Sequence, residues 1–189
     1  MKAPKSFRLH IGIFGKRNVG KSSILNALTQ QDVSIVSEIA GTTTDPVEKP
    51  MELLPLGPVL FIDTAGIDDI GVLGEKRVNK TLAVFDRTDL GVIVTNFGEW
   101  GEYEHKIIEA FKIREVPFLI VFNKTDQFAE NSNITSQLDN LNIKYVATAA
   151  TTGYACIVKW MNYGIIKSTG GKRIKQKGRL SPTKMITGG

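Results

Sequence analysis

Gly15-Lys16-Arg17-Asn18-Val19-Gly20-Lys21-Ser22 fits the pattern G-x-x-x-x-G-K-S/T, between an apolar run and a helical one. In that context such a loop cradles phosphates: the glycines let backbone N–H groups turn inward, and the helix N-terminus adds positive potential. Lys21 is expected to reach the β- and γ-phosphates and Ser22 to hold Mg²⁺ through its hydroxyl. A second apolar run ends in Asp63-Thr64-Ala65-Gly66. A carboxylate at such a strand end can hold the Mg²⁺ shell, and Gly66 can offer its N–H to a γ-phosphate with no side chain in the way. A third run ends in Asn123-Lys124-Thr125-Asp126. The Asp126 carboxylate can accept from the N1–H and N2 amino group of guanine, donors that adenine lacks there. A site built on such a bond rejects the wrong ligand by roughly 10⁴–10⁵ at best. Asn123 and Lys124 are expected to shape and cover the base pocket. Between the first two motifs, Thr42-Thr43-Thr44 offers a hydroxyl, most favourably Thr43, to complete the Mg²⁺ shell and order its loop while a triphosphate is bound.

These residues must be placed by strands that alternate with helices. RLHIGIF (8–14) predicts a buried strand, and Lys21 to Thr29 a helix. Pro50–Leu56 and Pro58–Asp63 predict two strands joined at Gly57-Pro58. Helical spacing recurs over 75–87, around Ile107, Ile108 and Phe111, and through Ile134, Leu138 and Leu141. DLGVIVTNF (89–97), PFLIVFNK (117–124) and KYVATAA (144–150) supply further strands. Apolar strands alternating with helices predict an α/β domain with a six-stranded, mostly parallel sheet covered on both faces. Ligands of such sheets lie beyond the carboxyl ends of the strands, where the three motifs fall. The last base contact is expected from the loop at 147–153, through the backbone N–H of Ala149 or Ala150.

Composition narrows the class. The 189 residues suit one compact domain, here residues 1–167 with a basic tail over 168–189. The formal charge of +5 is a property of that end: residues 159–189 hold eight Lys/Arg and no Asp/Glu, leaving 16 basic against 19 acidic residues before them. The body is therefore mildly acidic. The Gly- and Lys-rich tail offers little to bury and is expected to be disordered, with contact to a phosphate polymer or a membrane as the sharper alternative. A closing helix with Ile157, Trp160, Met161 and Ile165 is interrupted by Gly164. No apolar run reaches the roughly 18 residues of a membrane helix. The start lacks the apolar stretch of a secretory signal, and the single Cys156 excludes an internal disulfide or a Cys-based cluster site in this chain. A cytoplasmic location is expected.

The ordered motifs resemble the P-loop GTPases of the translation-factor-related class, which includes Era-type, ribosome-assembly and tRNA-modification enzymes. The stretches IVSEIAGTTTDPVEKPMELLPLGPV and DTAGIDDIGVLGEKRVNKT resemble, more closely, the GTPase domain of the HydF family of FeFe-hydrogenase maturation proteins. This resemblance covers residues 6–153. It implies the P-loop GTPase fold, GTP hydrolysis to GDP and phosphate, Mg²⁺, and a nucleotide-binding set of Gly15, Lys16, Arg17, Asn18, Val19, Gly20, Lys21, Ser22, Ser23, Asp63, Gly66, Asn123, Lys124, Asp126, Ala149 and Ala150. It also implies a switch role in assembling the hydrogenase H-cluster, with the radical-SAM maturases HydE and HydG and the hydrogenase as partners. The family's iron–sulfur cluster belongs to a domain that this chain does not contain, so a truncated chain or a foreign tail is expected. A homodimer across the nucleotide face fits the class. An RNA-associated assembly or tRNA-modification GTPase is the alternative; the acidic body and the lack of an RNA-binding module weigh against nucleic acid.

Two positions bear on catalysis. Ras-like GTPases orient the attacking water with a glutamine directly after the Gly66 position; here Ile67 stands there, which predicts slow intrinsic hydrolysis. Asn18 offers a neutral oxygen near the α- and β-phosphates. The resembled class contains members that hold K⁺ with an asparagine at this place, and K⁺ there could offset charge developing at the β–γ bridge. The other reading is conformational, because Asn tolerates left-handed backbone. Glu75 lies where a related family keeps a catalytic glutamate, or is simply a charge in a first helical turn. Lys16 and Arg17 read as surface charges beside the nucleotide. His10 and His105 are assigned no role.

Overall fold

The computed structural model describes residues 8–29, 47–53, 57–64, 83–149, 175–176 and 179–180. Six strands form one sheet: β1 (Leu9–Phe14), β2 (Val47–Leu53), β3 (Gly57–Asp63), β4 (Leu90–Thr95), β5 (Phe118–Phe122) and β6 (Tyr145–Ala147). Their order is β2-β3-β1-β4-β5-β6. Every neighbouring pair is parallel except β2 with β3. The helices are α1 (Lys21–Thr29), α2 (helical over 83–87), α3 (Glu102–Ile113) and α4 (Ser132–Asn140).

The sheet is buried on both faces by the alternation of its strands. Ile11, Ile13, Val59, Phe61, Val92, Val94, Leu119 and Val121 join Ile24 and Leu25 of α1 in one core. Phe14, Ile62, Ile93, Ile120 and Phe122 point the other way, onto Val84 and Phe85 of α2, Ile107, Ile108 and Phe111 of α3 and Leu138 of α4. The expected two-sided α/β sheet is thus what forms. Phe14 stacks on Phe85 at 4.5 Å between ring centroids and meets the edge of Phe111 at 5.1 Å. This aromatic group fixes the residue immediately before Gly15.

Helix starts follow local chemistry. Glu104 reaches back to the Gly101 N–H (2.9 Å) at the head of α3, and the Asn131 side chain accepts from Asn133 N (3.0 Å) and Ile134 N (3.4 Å) at α4. Leu141, read from spacing as part of the apolar face of α4, instead follows the helix and is 62% exposed. The hairpin also differs from its sequence reading: β2 begins at Val47, and β3 begins one residue earlier than expected, at Gly57, opposite Leu53. Pro50 is admitted because β2 is an edge strand, where a missing N–H costs no second ladder. Lys175–Gln176 pairs antiparallel with Arg179–Leu180 as β7 and β8. The expected helix at 157–165 and the rest of the tail lie outside the described residues.

Gly91 shows how closely the sheet and α3 approach. A Cβ built there would lie 2.5 Å from Phe111 Cε2, inside van der Waals contact. Gly91→Ala is expected to destabilise the fold by about 1–3 kcal/mol through overpacking, and Gly91→Ala with Phe111→Leu to recover part of the loss, as read from thermal melts of the four proteins in a double-mutant cycle.

Candidate nucleotide-binding site

The loop between β1 and α1 is held in a backbone path that few sequences adopt. Gly20 lies at φ +100°, and Asn18 at φ 66° in the left-handed region. A Cβ on Gly20 would collide with the Asn123 amide, and one on Gly15 with the Val94 carbonyl. The glycines are therefore required by space as well as by conformation. Val19 is fully buried, while Arg17 and Asn18 are exposed. Lys21 opens α1 with only 6% of its surface exposed. Its ammonium donates to the carbonyl of Gly15 and to that of Lys16 (2.8 Å), which folds it back over the loop. Ser22 and Ser23 are exposed on the first turn of α1.

The parallel register of β1 and β3 sets Ile13 beside Asp63, so the carboxylate ends its strand next to the start of the loop. Thr64 secures that junction: its N–H (3.3 Å) and its hydroxyl (2.7 Å) both donate to the Ile13 carbonyl. Asn123 is 98% buried and donates from Nδ2 to the Val19 carbonyl at 3.0 Å. It therefore ties the third motif to the first. Lys124 adopts φ 60°, which turns the chain so that Gln127 N and Phe128 N both reach its carbonyl at 2.9 Å. Asp126 sits exposed in that turn. Thr125 N donates to the Thr148 carbonyl (3.2 Å), which brings the residue before Ala149 against the same turn. Ala149 is buried. Thr43, Gly66, Glu75 and Ala150, together with Ile67, lie outside the described residues.

One side chain goes elsewhere than its sequence reading. Lys16 is not a free surface charge: its Nζ donates to the Glu99 carbonyl (2.6 Å) and pairs with Glu104 at 3.5 Å. Glu104 was missed. Its place three residues after Gly101 marks a helix start, but nothing local links it to Lys16, 88 positions earlier.

These arrangements fit a nucleotide. The loop packs its glycines against the Val94 carbonyl and the Asn123 amide, places a lysine and two hydroxyls at a helix N-terminus, and stands next to a strand-end carboxylate. Residues 10–124 match the pattern of the family described as 50S ribosome-binding GTPase. The chain belongs to that family. It is a P-loop GTPase domain, and the family implies GTP or GDP and Mg²⁺ as its ligands. GTPase Der of Campylobacter concisus is 33% identical over 175 residues, covering 90% of this chain and 35% of that protein. The tRNA modification GTPase MnmE of Prochlorococcus marinus is 36% identical over 129 residues, covering 66% of this chain and 27% of that protein. Among solved structures, Era in complex with MgGDPNP and nucleotides 1506–1542 of 16S ribosomal RNA superposes with a TM-score of 0.63 at 26% identity, over 93% of this chain and 60% of that one. The chain spans about a third or less of the curated relatives it matches. Among the described residues no helix is long and apolar enough to cross a membrane.

Asn123→Ala removes a buried tie and leaves the Val19 carbonyl without that donor. Guanine-nucleotide affinity is expected to fall by about tenfold or more, the worth of one such bond, while the far-UV spectrum stays native. Gly20→Ala is expected to abolish nucleotide binding outright; fluorescent GDP titrations of both variants check this.

Proposed function

We propose that this domain is a Mg²⁺-dependent GTP switch in an RNA-associated assembly or tRNA-modification process. The observation that carries the guanine reading is the Asn123 bond to Val19, which sets the exposed Asp126 turn beside the phosphate loop. The RNA reading is supported by the likeness to Der, MnmE and Era, the last solved with ribosomal RNA. Lys21 and the α1 N-terminus hold the phosphates, Ser22 and Asp63 hold Mg²⁺ with Thr43, and Gly66 senses the γ-phosphate. Lys124 and the backbone at Ala149 or Ala150 close the base pocket. A location in the cytoplasm accords with this role. Binding to structured RNA that is stronger with a GTP analogue than with GDP, and weakens with salt, is the result expected; equal binding in both states would overturn the switch.

A second reading rests on the residues between the motifs. GTTTDPV and ELLPLGPV resemble the HydF family, and they favour a switch in H-cluster assembly with HydE- and HydG-type maturases and the hydrogenase as partners. In that reading the iron–sulfur cluster belongs to a domain outside this chain. GTP-dependent co-purification with such maturases, and no RNA binding, would select it. Homodimerisation across the nucleotide face is compatible with either.

The base specificity is tested directly. Asp126→Ala is expected to raise the GTP KM about a hundredfold, the loss of two charge-assisted bonds, while leaving weak ATP binding unchanged; equal turnover of ATP and GTP by the parent chain would end the guanine reading.

Hydrolysis is proposed to depend on K⁺ held by Asn18, since Ile67 cannot orient water. The left-handed backbone at Asn18 supports the conformational reading as well, so Asn18→Ala would conflate strain with ligand loss. Asn18→Gly separates them, because glycine accepts φ 66° and lacks the amide oxygen. Faster turnover in KCl than in NaCl, lost in Asn18→Gly, is expected of a K⁺ ligand. Retention of the K⁺ effect would leave Asn18 a purely conformational role.

A further inference from the structure

Glu104 is a carboxylate with no exposed surface, standing on α3 beside the phosphate loop. Its two oxygens are divided among three donors. Oε2 accepts from the Gly101 N–H at 2.9 Å and faces Lys16 Nζ at 3.5 Å; Oε1 accepts from the Thr95 hydroxyl at 3.3 Å. Capping alone does not account for this burial, because a helix-start glutamate ordinarily lies in water. The carboxyl group is held in the interior by partners from three places: the end of β4, the head of α3 and the phosphate loop.

Lys16 is correspondingly committed. Besides Glu104, its ammonium donates to the Glu99 carbonyl at 2.6 Å and lies 5.9 Å from the centre of the Tyr103 ring. Its own backbone carbonyl accepts from Lys21 at 2.8 Å. The side chain and the carbonyl of one residue thus link the buried carboxylate to the lysine of the phosphate loop.

We propose that Glu104 is a positioning residue for the nucleotide: by anchoring Lys16 on α3, it sets the direction of the carbonyl that aims Lys21 at the β- and γ-phosphates. The proposal rests on the nucleotide reading of the loop. It assigns to Lys16 an internal partner in place of direct contact with ligand. Because Lys21 serves both phosphates, its misdirection costs a triphosphate more than a diphosphate.

The test compares Glu104→Gln, Lys16→Met and the double variant, each titrated with mant-GDP and mant-GMPPNP. Either single change is expected to weaken mant-GMPPNP binding by about tenfold, the worth of one charge-assisted bond, and to lower the ratio of triphosphate to diphosphate affinity. The double variant is expected to be no weaker than the weaker single one, as two parts of one linkage require. Merely loosened packing would lower both affinities alike, and that result overturns the proposal. So does a loss in Lys16→Met that Glu104→Gln does not share, which would show Lys16 acting on the nucleotide by itself. Should Glu104→Gln fail to fold, Glu104→Asp takes its place, withdrawing the carboxylate from Lys16 while keeping its charge. A parent chain that binds neither probe would sink the nucleotide reading itself, and this proposal with it.

Discussion

A single buried amide bond, Asn123 Nδ2 to the Val19 carbonyl, joins segments 104 residues apart. It ties the turn that carries Asp126 to the loop between β1 and α1. Other features follow from it. Gly20 cannot carry a Cβ because that amide occupies the space, and Val19 is drawn inward until no part of it is exposed. β4 and β5 must run parallel and in register for Asn123 N to reach the Thr95 carbonyl at 2.8 Å. A carbonyl orphaned at this depth would cost about 1–3 kcal/mol, more than the bond itself contributes, which makes the pairing stringent.

Behind the site, packing rather than polarity supplies rigidity. Phe14, Phe85 and Phe111 are in mutual ring contact, and Phe97 stacks on Phe122 at 4.1 Å with 3° between the ring planes. The loops that follow β1 and β5 therefore leave strands whose last residues are locked by aromatic contacts. The loop can be polar and strained because its ends are not free to relax.

Much of this was legible in the sequence, for identifiable reasons. The six strands and α1 stood out because continuous apolar runs and period-3.6 spacing are local signals, and the motifs at the strand ends are contiguous. Local signals also misled at the margins. Leu141 fits the helical spacing but falls one residue past α4, and the junction read at Gly57-Pro58 is already the start of β3, where Pro58 precedes the register with β1 that begins at Val59. Lys16 and Glu104 show the deeper limit. A lysine in a glycine-rich loop and a glutamate near a helix start each have ordinary local meanings; only the crossing from β1 to α3 brings them together. Asn18 shows the converse: its residue type left a ligand and a left-handed turn both open, and the fold supplies the left-handed backbone.

The antiparallel strand β2 forms one margin of the sheet and carries Glu48, Lys49, Pro50 and, after the buried Met51, Glu52. Glu48 is further engaged by Arg87 of α2. A proline and a run of charges deny that margin the unbroken row of amides on which another chain could template itself. Merging of subunits into one continuous sheet, and so polymerisation by strand addition, is disfavoured along this side of the molecule.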